Sequence, residues 1–118
     1  MEIPTSISIS KKVRDSFQTI KNRTGVTNNV LSRIAITLAM DSGVGLDAVV
    51  KDDAGGQTLS RDLMFGDLLE GFDVLLRQYM HDNEVEMQVG PAISSLIEIG
   101  AHKMSHCRSL NDLCDLGR

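Results

Sequence analysis

Residues 5–42 read TSISISKKVRDSFQTIKNRTGVTNNVLSRIAITLAMDS, and the changes of pattern within this stretch decide the fold. Over residues 5–10, Ile7 and Ile9 alternate with Ser6, Ser8 and Ser10. A period of two predicts a short half-buried strand, with Ile3 on the face of Ile7 and Pro4 limiting pairing at its entrance. Ser10 then reads as an N-cap. Val13, Phe17, Ile20 and Thr24 recur at i, i+4, i+7 and i+11, which predicts a helix over about Lys11–Thr24. Gly25 supplies the left-handed residue that stops it. Thr27 or Asn28 caps a second helix over about Asn29–Asp41. Val30, Leu31, Ile34, Ile36, Leu38 and Met40, with Ala35 and Ala39 between them, make this helix apolar on more than one side. Such a helix belongs at the centre of a structure.

Outward from this unit, Leu46–Gln57 reads as a connector with a turn at Asp52–Gly56, and a short hairpin between Val49–Val50 and Thr58–Leu59 is expected. A third helix is expected over about Asp67–His81, burying Leu68, Phe72, Leu75, Leu76 and Tyr79. Gly71 inside it costs about 1 kcal/mol relative to alanine, which suggests close packing there. Asp82–Glu86 reads as an acidic loop. Pro91 suits the first turn of a fourth helix over about Pro91–Cys107, with Ile93, Leu96, Ile97, Gly100, Ala101 and Met104 inward. Leu110–Leu116 forms a last short helix. The fold class expected is therefore mainly α: one short N-terminal strand and four or five helices, beginning with a ribbon-helix-helix-like unit. One domain over residues 1–118 is expected, divided into a strand-helix-helix unit (1–42) and a helical remainder (58–116).

Composition agrees with packed helices. Aromatic residues are 3% of the 118 (Phe17, Phe65, Phe72 and Tyr79) and tryptophan is absent, so Leu, Ile, Val, Met and Ala must fill the core. Residues 1–10 lack the basic start and unbroken apolar run of a signal peptide, and no apolar run reaches the ~18 residues of a membrane span. A cytoplasmic protein with no membrane partner and reduced thiols is the expectation.

The net charge of −4 is unevenly spread. Residues 1–40 carry six basic and two acidic side chains (+4), and residues 41–118 carry six and fourteen (−8). One basic working surface on an acidic body is the natural reading. It centres on Lys11, Arg14, Gln18 and Lys21 along one stripe of the first helix, with Lys12 and Arg23 at its edges. In a ribbon-helix-helix, two chains pair their strands and lay the ribbon in a DNA groove. Ser6, Ser8 and Ser10 would then face outward as short donors. The Thr27–Asn28 end of the second helix would offer backbone amides to a phosphate, with Arg33 one turn further on. A charged stripe on its own is more often a solvated face than a DNA surface.

No phosphate loop, dinucleotide-binding glycine motif or nucleophile elbow is present, so neither an enzyme activity nor a cofactor is expected. His102 and His106 stand at i, i+4 beside Cys107, with Cys114 or His81 as conceivable further metal ligands. Without a second clear ligand pair, an exposed polar face and inert buried thiols at Cys107 and Cys114 are the better reading, and no metal is expected.

Several segments resemble one family. Ile7-Ser-Ile-Ser-Lys11, then Lys21-Asn-Arg23-Thr24-Gly25-Val-Thr27, Asn29, Leu31, Arg33 and Ala35, look like the start of DndE proteins, the smallest components of the DNA phosphorothioation system. Ser60-Arg61-Asp-Leu-Met-Phe-Gly66-Asp67, Leu75-Leu76-Arg77-Gln78 and Ser109-Leu110-Asn-Asp112-Leu113 resemble later stretches of the same family, in the same order. Asp67 stands where that pattern has glutamate. The resemblance implies a non-catalytic subunit of a restriction-modification-like defence system. Such a subunit binds double-stranded and notably nicked DNA, self-associates, and works with other subunits of the sulfur-modification complex. The residues themselves also point to a homo-oligomer, a dimer or tetramer, because the lone Ile7–Ile9 strand needs a partner and Ile34, Ile36 and Leu38 make the second helix apolar on several sides. A ribbon-helix-helix transcriptional regulator is the main alternative, and the ordered helices expected over 58–116 speak against it. An adaptor of the same complex without direct DNA contact is the other.

Overall fold

In a computed structural model of the chain, the described residues are 2–46, 56–107 and 109–116, and the side chains of Leu110 and Leu116 are left aside. The strand β1 is Ser6–Ile9, and helices α1 and α2 are Lys11–Thr24 and Asn28–Ser42. Strand β2 is Gln57–Ser60, α3 is Arg61–Phe65 and α4 is Leu69–Asp82. Helix α5 is Val89–Met104 and α6 is Leu110–Leu116. The fold is mainly α, as the sequence pattern requires.

The first unit forms as its local chemistry dictates. Ser10 Oγ accepts the Val13 amide (3.2 Å), and Gly25, at φ +79°, closes α1 by donating to Lys21 O. Thr24 pins the same corner, its hydroxyl donating to Ile20 O and accepting from the Val26 amide. Thr27 is the cap of α2, which includes Asn28 and runs to Ser42. Val13, Phe17 and Ile20 are buried, as is Ile3.

The strand differs from expectation in its partner. β1 pairs antiparallel with β2 of the same chain, Ser6 opposite Ser60 and Ile9 opposite Gln57. Thr58 and Leu59, read as half of a hairpin with Val49–Val50, thus complete a ribbon with the N-terminus; Val49–Val50 lie outside the described residues. A lone strand awaiting a second chain is no longer a ground for self-association. Leu59 and Ile7 turn inward, while Ser6, Ser8, Thr58 and Ser60 give the ribbon a hydroxyl outer face. The Arg61 amide donates to Thr5 O, and its guanidinium to Ile3 O (3.0 Å), fastening the N-terminal segment to the start of α3.

The core is built on α2 against α5, with α1, α3 and the ribbon around them. Ser32, Ala35 and Ala39 of α2 are buried, and Ala35 backs onto Gly100 of α5. A Cβ placed on Gly100 would overlap the carbonyl oxygen and Cα of Ala35, so this glycine sets how closely the helices cross. Gly71, the position expected to pack closely, is exposed and a Cβ there would meet open space.

The third helix expected over Asp67–His81 corresponds to α4, and α3 is an additional helix before it, outside the elements expected from sequence. α3 ends at Gly66 (φ +52°), a single 3-10 turn covers Gly66–Leu68, and α4 begins at Leu69. This break rotates the inward face to Phe65, Leu69, Phe72 and Leu76, with Phe65 and Phe72 in contact at 5.0 Å between ring centres. Leu68 and Leu75, expected in the core, are instead 52% and 54% exposed. Asp73 takes the inward place beside Leu76 and accepts from Arg77 at 2.6 Å.

α5 places every residue of its expected apolar face in the core but ends at Met104. His106 and Cys107 therefore follow the helix and do not continue it. Ser109 Oγ accepts the Asp112 amide at the start of α6, whose Leu113 is buried.

Candidate nucleic-acid interface

α1 carries Lys11, Lys12, Lys21 and Arg23 exposed and Arg14 partly so. The helix forms because Val13, Phe17 and Ile20 drive one side into the core, which leaves positions 11, 14, 18 and 21 together on the outside. Arg14 engages neighbouring Asp15 at 3.3 Å, and Gln18 donates to Asn22 at 3.0 Å. α1 has no acidic residue in its first turn.

The other positions named from sequence divide. Thr27 is exposed at the corner that follows Arg23, but its hydroxyl oxygen accepts the Val30 amide as a helix cap (3.5 Å). Asn28 begins α2, and its Oδ1 is buried without a partner among the described residues. Arg33 does not join the α1 cations: it points across to α3, donating to Phe65 O at 3.5 Å, and so holds a helix end. Ser6 and Ser8 do face outward. Ser10, expected beside them, is buried because its hydroxyl also donates to the carboxylate of Glu98 on α5 (3.2 Å to each oxygen).

That bond marks a feature with no local signal in the sequence. Between the outer ribbon face and the first half of α5 lies a groove of about 490 Å³. Ser6, Ser8 and Thr58 line one side, Pro91, Ser94 and Glu98 the other. Ser94 Oγ donates to Ser8 O at 2.7 Å and ties the walls together. Gly90 lets α5 begin against the Pro4 ring, where a Cβ would stand 3.1 Å from Pro4 Cγ.

The cysteines are unlike each other. Cys107 is buried and its thiol is pushed up from its ordinary pKa by burial and, second, by Asp112. Cys114, read as buried, is exposed, because α6 turns Leu113 inward in its place. In native protein at neutral pH, iodoacetamide is expected to label Cys114, with Cys107 reacting only after denaturation. Mass mapping showing Cys107 labelled first would contradict this packing. A raised pKa also means that Cys107 favours the folded state below the unfolded thiol pKa, a contribution lost as pH rises above it. His102 and His106 are exposed. Among the described residues, no three His, Cys, Asp or Glu side chains are grouped to hold a metal. Nor is any described helix long and apolar enough to cross a membrane.

Comparison with known proteins places this geometry. DndE from Escherichia coli B7A, whose crystal structure is described as involved in DNA phosphorothioation modification, superposes with a TM-score of 0.71 at 19% identity, covering 86% of this chain and 97% of that one. A glycine-to-lysine double mutant of DndE, described as involved in DNA phosphorothioation, gives 0.68 at 17% identity, covering 86% and 98%. At these identities the likeness establishes the shared fold. No curated protein matches the chain. The sequence profile for DNA sulphur modification protein DndE matches residues 6–112, nearly the whole chain. This chain therefore belongs to the DndE family of DNA sulfur-modification proteins.

Proposed function

We propose that this DndE-family protein is a non-catalytic DNA-binding subunit of the phosphorothioation machinery, holding double-stranded and preferentially nicked DNA against α1. The observation that carries the reading is the group of Lys11, Lys12, Arg14, Lys21 and Arg23 on one helix of an otherwise acidic chain. Thr27 and Asn28 extend the surface past Gly25. Lysine and arginine contacts to phosphate carry no base information, so binding is independent of sequence. A nick makes the duplex easier to bend onto a rigid surface. The deciding experiment titrates intact, nicked and single-stranded DNA at two salt concentrations. Nicked duplex should bind tightest, and each phosphate engaged should steepen the log–log salt dependence by about 0.9. Binding that is absent or indifferent to salt would leave only the adaptor role in the complex.

The subunit acts as a homo-oligomer, dimer or tetramer, which multiplies the cationic surface. The support lies in α3, α4 and the turn between them: Leu63, Leu68, Val74 and Leu75 are 71%, 52%, 61% and 54% exposed within thirteen consecutive residues. Apolar side chains concentrated in this way mark a contact with another chain. Leu63→Glu with Leu75→Glu should convert the protein to monomer by light scattering at micromolar concentration, with little change in thermal midpoint. A wild-type monomer under the same conditions would refute the assignment.

A further inference from the structure

Besides flexibility, a nick offers two chain ends that intact duplex lacks, a 5′ end and a free 3′-hydroxyl, the latter consumed in a phosphodiester in intact DNA. We infer that the groove between the ribbon and α5 receives the 3′-terminal nucleoside at a nick, with Glu98 accepting the hydrogen bond of its hydroxyl. This rests on the DNA-binding reading above and adds the terminus as the ligand.

Three observations lead there. The groove is concave and, at about 490 Å³, falls within the ~300–1,000 Å³ range of small-ligand sites. Its walls offer hydroxyls from Ser6, Ser8, Thr58 and Ser94, together with two proline rings, and Glu98 is the one acidic or basic side chain among its lining residues. Such a lining suits a neutral sugar and base and resists a phosphate. An ionised carboxylate accepts hydrogen bonds and cannot donate; Ser10 takes part of its capacity, and the rest is left for a donor from the groove. Finally, Ser10 is among the residues that line the groove, and the next two residues in sequence are Lys11 and Lys12, where the cationic stripe begins. A strand whose phosphates lie along α1 would deliver its end into the groove.

The test uses three nicked duplexes that differ only at the 3′ end of the nick: hydroxyl, hydrogen or phosphate. By fluorescence anisotropy, the wild-type protein should bind the hydroxyl form about tenfold more tightly than the hydrogen form, and the phosphate form least, because Glu98 repels it. Glu98→Ala should bind hydroxyl and hydrogen forms alike while still binding intact duplex as wild type does. Glu98→Gln keeps the bond to Ser10, so it separates the site from the fold; it should retain the preference for hydroxyl over hydrogen and lose most discrimination against phosphate. Equal binding of all three forms by wild type, or a preference for hydroxyl that survives in Glu98→Ala, would overturn the inference and leave DNA binding by α1 standing. No binding of any duplex would overturn both.

Discussion

Lys11→Glu combined with Lys21→Glu should weaken binding of nicked duplex about 100-fold at low salt. Two phosphate contacts are lost, and a charge-assisted contact of this kind is worth about tenfold or more where it is well formed. The salt dependence should flatten by about 1.8 per chain, twice the 0.9 of a single phosphate. Arg14 is left in place because it already engages Asp15, and a glutamate there would set two carboxylates side by side. The thermal midpoint should hardly move. Both lysines are exposed, and the two changes act oppositely on the helix dipole: a glutamate at position 11 favours the start of α1, and one at position 21 disfavours its end. A control of equal charge change is Lys103→Glu, Gln88→Glu and Asn111→Glu, two units plus one plus one, against two plus two. All three sites are exposed, and positions 88 and 111 lie at helix starts that tolerate an anion. Arg77 is kept out of the control because it neutralises buried Asp73. If control and double mutant bind DNA equally, the cationic face of α1 is not the interface.

Gly100→Ala should be strongly damaging for the addition of a single methyl group. Intrinsic helix propensity favours alanine by about 1 kcal/mol, and at Gly71, where the methyl would meet open space, that gain should appear as a higher melting temperature. At Gly100 the methyl would fall on the backbone of Ala35, which cannot swing aside as a side chain can. The α2–α5 crossing must open, carrying Leu31, Ile36, Leu96 and Ile97, all fully buried, out of register. Overpacking of this kind costs about 1–3 kcal/mol, occasionally more, in a total stability of about 5–15 kcal/mol. A net loss near 2 kcal/mol should lower the midpoint by roughly 8–10 °C, read by circular dichroism. A Gly100→Ala protein melting at or above wild type would show that the crossing has slack.

These two glycines also show where a sequence stops being legible. Local chemistry is written locally: the Ser10 and Thr27 caps, the Gly25 stop and the inward stripes of α1 and α5 need only neighbours within a turn or two. Gly71 and Gly100 look alike in a helix, and only the element lying across from each tells them apart. β2 reads QTLS, with one apolar residue, too little alternation to announce that it pairs with residues some fifty positions earlier. The exposure of Leu68 and Leu75 hung on a 3-10 turn that shifted the phase of α4. At the candidate interface, the shared outer face of the α1 cations followed from periodicity. Arg33 lies on a helix surrounded on several sides, so its direction was settled by α3, and Glu98 is reached from Ser10 only through the folded chain.

The family-like stretches now have physical work attached. Ser60 caps α3, Arg61 fastens the N-terminal segment, and Gly66 supplies the positive φ that ends α3, so the Ser60–Gly66 pattern keeps the ribbon joined to the helices.

The seat of α2 against α5 has a consequence for synthesis on the ribosome. α2 is complete at Ser42, but the helix that covers it ends at Met104, 104 − 42 = 62 residues later. At about 5–20 residues per second, the apolar side of α2 waits about 3–12 s for its cover. Helix α1 is made first, yet it cannot be fixed in place until the chain is nearly finished. Nascent chains halted before residue 104 should therefore stay open to protease and attractive to holding chaperones, and a fragment ending at Ser42 should not keep α1 folded.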